Sequence, residues 1–154
     1  MSQSGRRARR RILRAPVVLP VFEEGRLVTD ALDVLALVLL LQAKHLVADF
    51  YLQNEFMLSG RNRYFHAGRA LHVLIHLAGT LIALLFVGSG IAVIALVLAL
   101  EFVLHFNIDW AKSALTESQK LTPSMPEYWH ALGLDQAAHQ ATYIGIAALC
   151  YFLN

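Results

Sequence analysis

The chain has 154 residues, enough for one domain, and is 57% hydrophobic with only 16% charged residues. Soluble domains carry about 25% charged residues, so this balance, with a mean hydropathy of +0.53, excludes an ordinary soluble enzyme and predicts an integral membrane protein. The net charge of +2 carries little weight, because the positive residues crowd at the N-terminus, and the single cysteine excludes an internal disulfide.

The first 30 residues read as a basic arm. Arg6, Arg7, Arg9, Arg10, Arg11 and Arg14 form a run with no apolar core behind it, since Pro16 and Pro20 interrupt the next patch and Glu23 and Glu24 follow. A cleaved signal peptide is not expected. The arm suits anionic lipid head groups or a partner protein. Nucleic acid is not expected as a partner, because no aromatic residues interleave the arginines.

Residues 31–154 form the predicted membrane domain, with the lipid bilayer as its solvent. About 20 apolar residues span the hydrocarbon core, and four segments qualify: Ala31 to Leu52, Arg69 to Val87, Ile91 to Ile108, and Asp135 to Leu153. The fold class expected is all-α: a polytopic, antiparallel bundle of four transmembrane helices. Gly88–Gly90 predicts a tight turn, Asn54 to Gly68 a polar loop, and Lys112 to Gly133 a long connection broken by Pro123 and Pro126. Trp110, Tyr128 and Trp129 fall near span ends, where interfacial aromatics belong. No internal repeat stands out. Cys150 and the loop residues His66 and His130 read as ordinary packing and surface residues.

The polar residues within the spans are patterned. Span one carries Gln42, Lys44, His45, Asp49 and Gln53. Span two carries His72 and His76, span three Glu101, His105 and Asp109, and span four Asp135, Gln136 and His139. Successive spans cross in opposite directions, so all of these fall in one leaflet, and the other leaflet is nearly pure aliphatic. His45/Asp49/Gln53, His72/His76, Glu101/His105/Asp109 and Asp135/His139 are i,i+4 ladders, each on one helix face. An ionisable side chain in lipid costs at least ~2.5–3.5 kcal/mol, so the four stripes must turn inward and meet.

Imidazole and carboxylate together suit a divalent metal such as Zn, Fe or Mn. His-x3-His places two imidazoles on one helix face, a common metal-binding arrangement. His45, His72, His76, His105 and Asp109 are therefore the expected metal ligands. Asp49, Asp135 and His139 are the expected acid, base or further ligand groups. Gln53, Gln136, Glu101 and Lys112 are expected to support them by hydrogen bonding or charge. No phosphate loop and no serine elbow is present, and Ser59, Ser113 and Ser118 have no evident base in sequence.

These stripes resemble a known family. "HLVADFYLQ", "HVLIH", "HFNIDWAK" and "DQAAH", in this order, are similar to the signature of small bacterial membrane proteins catalogued as domain of unknown function 3307. The resemblance covers about Leu35 to Ala148 and falls on His45, Asp49, Gln53, His72, His76, His105, Asp109, Lys112, Asp135, Gln136 and His139. The arginine-rich start is not part of the family pattern. The resemblance implies a multi-pass protein of the bacterial inner membrane but no established activity. In kind, its polar signature is similar to that of intramembrane metal-dependent hydrolases.

The functional expectation is a metal-dependent membrane hydrolase. The alternative, from a different class, is a non-enzymatic accessory subunit of a larger membrane complex or a homo-oligomer. A metal or proton transporter component is disfavoured by the apolar second leaflet. The arginine run favours cytoplasmic termini, which places the cluster near the periplasmic face.

Overall fold

The computed structural model describes residues 31–60 and 63–153. The basic arm, residues 1–30, lies outside the described residues. Five helices follow in chain order: α1 (Ala31–Phe50), α2 (Glu55–Leu58), α3 (Ala67–Phe86), α4 (Ile91–Ser118) and α5 (Pro126–Leu153). No strand occurs among the described residues, so the fold is all-α as the periodicity predicts.

The four long helices pack as a ring. α1 contacts α3 and α5, α4 contacts the same two, and α2 lies against α3. α1 and α4 are thus diagonally opposed, as are α3 and α5. Among the described residues, α1, α3 and α4 are each long and apolar enough to cross a membrane. α5 has the length, but Asp135, Gln136, His139 and Gln140 dilute its apolar content. The ring is apolar over much of its outside. Leu39, Ile82, Leu85, Phe86, Ile91, Val103 and Phe152 are all exposed. A contiguous apolar exterior is what lipid, not water, tolerates, and the chain is accordingly a membrane-embedded protein.

The interior divides along its length. One half is a dry core in which Leu37, Leu41, Leu84, Val97 and Tyr143 are fully buried. The other half holds the histidines and carboxylates. The hairpin at the dry end is short because Gly88 sits at φ 77°, a left-handed conformation that costs glycine nothing. It closes α3 with bonds from Gly88 N to Leu85 O (3.2 Å) and Ser89 N to Leu84 O (3.0 Å).

The connections at the polar end differ from the sequence reading. The expected loop from Asn54 to Gly68 contains α2, capped by the Asn54 side chain, which accepts from Met57 N at 3.1 Å. His66 is no plain surface residue, since its ring accepts from Gly68 N and caps α3. The expected connection from Lys112 to Gly133 is mostly helical: α4 runs on to Ser118 and α5 begins at Pro126. Hydropathy marks where a helix leaves apolar surroundings, not where it ends. Pro126 starts a helix here because the first helical position needs no N–H. His130 is exposed as expected, but on α5.

α2 is seated by Gly68. A Cβ at that position falls 2.2 Å from the Phe56 carbonyl oxygen, and backbone cannot yield as a side chain does. Gly68→Ala is therefore expected to cost about 1–3 kcal/mol, the range for forced overpacking. Thermal unfolding in detergent tests this, and an unchanged midpoint rejects the tight seating.

A buried histidine and carboxylate cluster

The four ladders meet. Their deepest members form a floor on which Lys44 of α1 pairs with Glu101 of α4. Lys44 Nζ also lies 3.2 Å from His76 Nδ1 and 4.5 Å from the centre of the Tyr143 ring. Gly79 of α3 leaves the space for this, since a Cβ there lies 3.0 Å from Lys44 Cβ. Lys44 thus stays in the interior, paired with a carboxylate. Glu101 serves this pair and lies beneath the histidines.

Above the floor sit five imidazoles, all buried: His45, His72, His76, His105 and His139. Ring centroids lie 3.9 Å apart for His76 and His105, 4.2 Å for His105 and His139, and 4.9 Å for His45 and His139. Two carboxylates tie the rings together. Asp49 receives Nε2 of His76 at 3.0 Å and Nε2 of His45 and His72 at 3.3 Å each. Asp109 lies 3.3 Å from His139 Nε2, 3.5 Å from His72 Nε2 and 3.6 Å from His105 Nε2. Asp135 is more distant, 3.7 Å from His139 Nε2. It accepts from Gln136, whose Oε1 lies 3.2 Å from His45 Nε2.

Every intramembrane residue expected to ligate a metal or act as an acid or base therefore falls in one cluster. Gln136 joins it directly. Gln53 and Lys112 do not touch the rings but line a cavity of about 230 Å³ that opens over Asp49, His72, Asp109 and Asp135.

Three residues of the site escaped the sequence reading. The Tyr143 hydroxyl lies 2.8 Å from His45 Nδ1. Thr80 is fully buried one helical turn beyond His76 on α3. Both continue ladders, Asp135/His139/Tyr143 and His72/His76/Thr80, so extending the four-residue step would have found them. Arg69 lines the cavity while buried, donating to the carbonyl oxygens of Arg63 (3.0 Å) and Tyr64 (2.8 Å). It opens the second expected span, and no spacing marks it as part of the site.

The donor set fits a metal. The N···O separations of 3.0–3.7 Å match the edge of a coordination shell, since two ligands about 2.1 Å from a tetrahedral ion lie about 3.4 Å apart. Three trios place one ligand atom from each member within 4.8 Å of the others: His72/His76/His105, His45/Asp49/His76 and His105/Asp109/His139. Above all, His105 is 1% exposed and neither ring nitrogen has a hydrogen-bond partner. A buried imidazole with no hydrogen bond is costly, and a cation among these rings would satisfy it.

A family model described as a protein of unknown function (DUF3307) matches residues 35–154. The chain belongs to the DUF3307 family. The matched region contains all four ladders, the floor and the cavity, so the cluster lies wholly within the DUF3307 domain, and residues 1–34 precede it. No curated protein and no solved structure matches the chain.

Proposed function

We propose that this DUF3307 protein is a metal-dependent hydrolase of the bacterial inner membrane, acting on an anionic lipid-linked substrate. The observation that carries the reading is the convergence of five buried imidazoles on two carboxylates, with His105 left without a hydrogen bond. An arrangement built only to hold helices together has no use for a buried imidazole that makes no hydrogen bond.

In this reading α5 is a fourth membrane crossing, supported by its flanking by α1 and α4 and its apolar stretch beyond Tyr143. The cluster then lies in one leaflet, towards the outer face if the termini are cytoplasmic. His45, His72, His76, His105, Asp49 and Asp109 are the ligands. Asp49 moves from the acid–base set to the ligand set, because three imidazoles already surround it. The metal, when bound, supplies Lewis acidity and lowers the pKa of water. Asp135 keeps one buried oxygen without a hydrogen bond, which suits a base that takes a proton from water in the cavity. Asp135 then returns that proton to the departing group, and His139, beside it, is a further ligand. Lys112 attracts the substrate's anionic group at the mouth, while Gln53 and Gln136 orient it.

The test is metal analysis of the purified full-length protein, joined to hydrolysis of a lipid phosphate ester in mixed micelles. Tightly held metal is expected, with turnover that a chelator stops and Zn2+ or Mn2+ restores. Protein that retains no metal after purification and reconstitution removes the reading. Metal without turnover on esters of several lipid classes removes the hydrolase and leaves the site.

A further inference from the structure

We propose that the cluster holds two metal ions, one in each of two matching half-sites supplied by two related helical hairpins. This rests on the metal-site reading above and goes beyond it by assigning number and ownership.

The first argument is capacity. The imidazoles and the three aspartates offer more donors than one ion accepts, since zinc takes four and octahedral ions six. The second is pattern. His45-x3-Asp49 on α1 is followed by His76 on α3. His105-x3-Asp109 on α4 is followed, at nearly the same interval, by His139 on α5. No repeat was evident in the sequence because the aliphatic residues between these positions are interchangeable and carry no register. It becomes visible once the ring shows α1 opposite α4 and α3 opposite α5, as a half-turn about the bundle axis requires.

The third argument is geometry. Each His/Asp/His trio independently brings its ligand atoms within 4.8 Å of one another, and the two trios share no residue. Within the first, Asp49 lies 3.3 Å from His45 and 3.0 Å from His76. Within the second, Asp109 lies 3.6 Å from His105 and 3.3 Å from His139. Between them, His72 Nε2 is 3.3 Å from Asp49 and 3.5 Å from Asp109, so the half-sites adjoin closely enough to share a ligand. Three protein donors to each ion leave positions open for water and substrate, as in catalytic rather than structural sites. The halves are not identical. Four residues before its partner histidine, α3 carries His72 and α5 carries Asp135, which gives the second ion a more oxygen-rich surrounding.

The experiment is metal titration of the full-length protein in detergent with Mn2+, followed by elemental analysis. The wild type should retain about two ions per chain, as two-metal sites do. His76→Ala and His139→Ala should each retain one, and the pair together none. Coupled low-temperature electron paramagnetic resonance of the Mn2+-loaded wild type needs no variant and should show an interacting pair instead of isolated six-line signals. Saturation at one ion, or isolated signals at full loading, overturns the pair and leaves a mononuclear centre standing. Loss of both ions from either single, folded variant overturns the separate half-sites. No retained metal in the wild type overturns the parent reading as well.

Discussion

Replacing Glu101 with alanine should destabilise the bundle more than any other single change. Glu101 is fully buried, and its partner Lys44 has a side chain only 9% exposed. Without the carboxylate, the ammonium remains among His76 and Tyr143 with no counter-charge. Removing one partner of a buried pair costs about 3–5 kcal/mol, whereas replacing both with apolar residues of similar volume is often neutral or better. Thermal unfolding in detergent should therefore show a large drop for Glu101→Ala and most of the stability regained in Lys44→Met/Glu101→Leu. A double variant less stable than the single would mean that the pair is not the source of the loss.

Asp109→Ala should have a large effect on metal. Three imidazoles from three helices approach this carboxylate, at 3.3, 3.5 and 3.6 Å. Loss of an outer hydrogen-bond partner of a ligand typically costs 10–100-fold in metal affinity. A direct ligand should cost more, over ~100-fold at the second half-site, and should end hydrolysis. Asp109→Asn keeps the shape but not the charge and should fall between. Competition against a chromophoric chelator measures both. Wild-type affinity in Asp109→Ala would assign Asp109 to packing instead of ligation.

Much of this site was legible in the sequence, for a reason particular to membranes. In a soluble protein, His45 or Asp135 alone would say little, because water tolerates either on any surface. In a segment bound for lipid the cost of exposure forces both inward, so a one-dimensional pattern constrains a three-dimensional meeting. Depth was readable for the same reason, since alternating spans bring the end of one beside the start of the next. Helix ends were not. Hydropathy falls at Lys112, yet α4 continues to Ser118 and Pro126 begins α5 where the pattern suggested a break. Tyr143 was overlooked because an aromatic among apolar residues looks like packing, although its hydroxyl reaches His45. The pairing of α1 with α3 and of α4 with α5 into matching halves needed the ring itself.

The contrast between the two halves of the bundle has an electrical meaning. Moving one charge across a membrane through its full potential is worth about 2.3 kcal/mol per 100 mV, and any wetted path through a protein short-circuits that potential. Among the described residues, the charged side chains of the interior end at Lys44 and Glu101, and beyond them Leu37, Leu41, Leu84 and Val97 fill most of the interior without exposure. The aliphatic half is a dielectric plug. On the reading proposed above, it would let a cell keep a cluster of ionisable side chains within its membrane, open to one aqueous phase, without discharging the voltage across it.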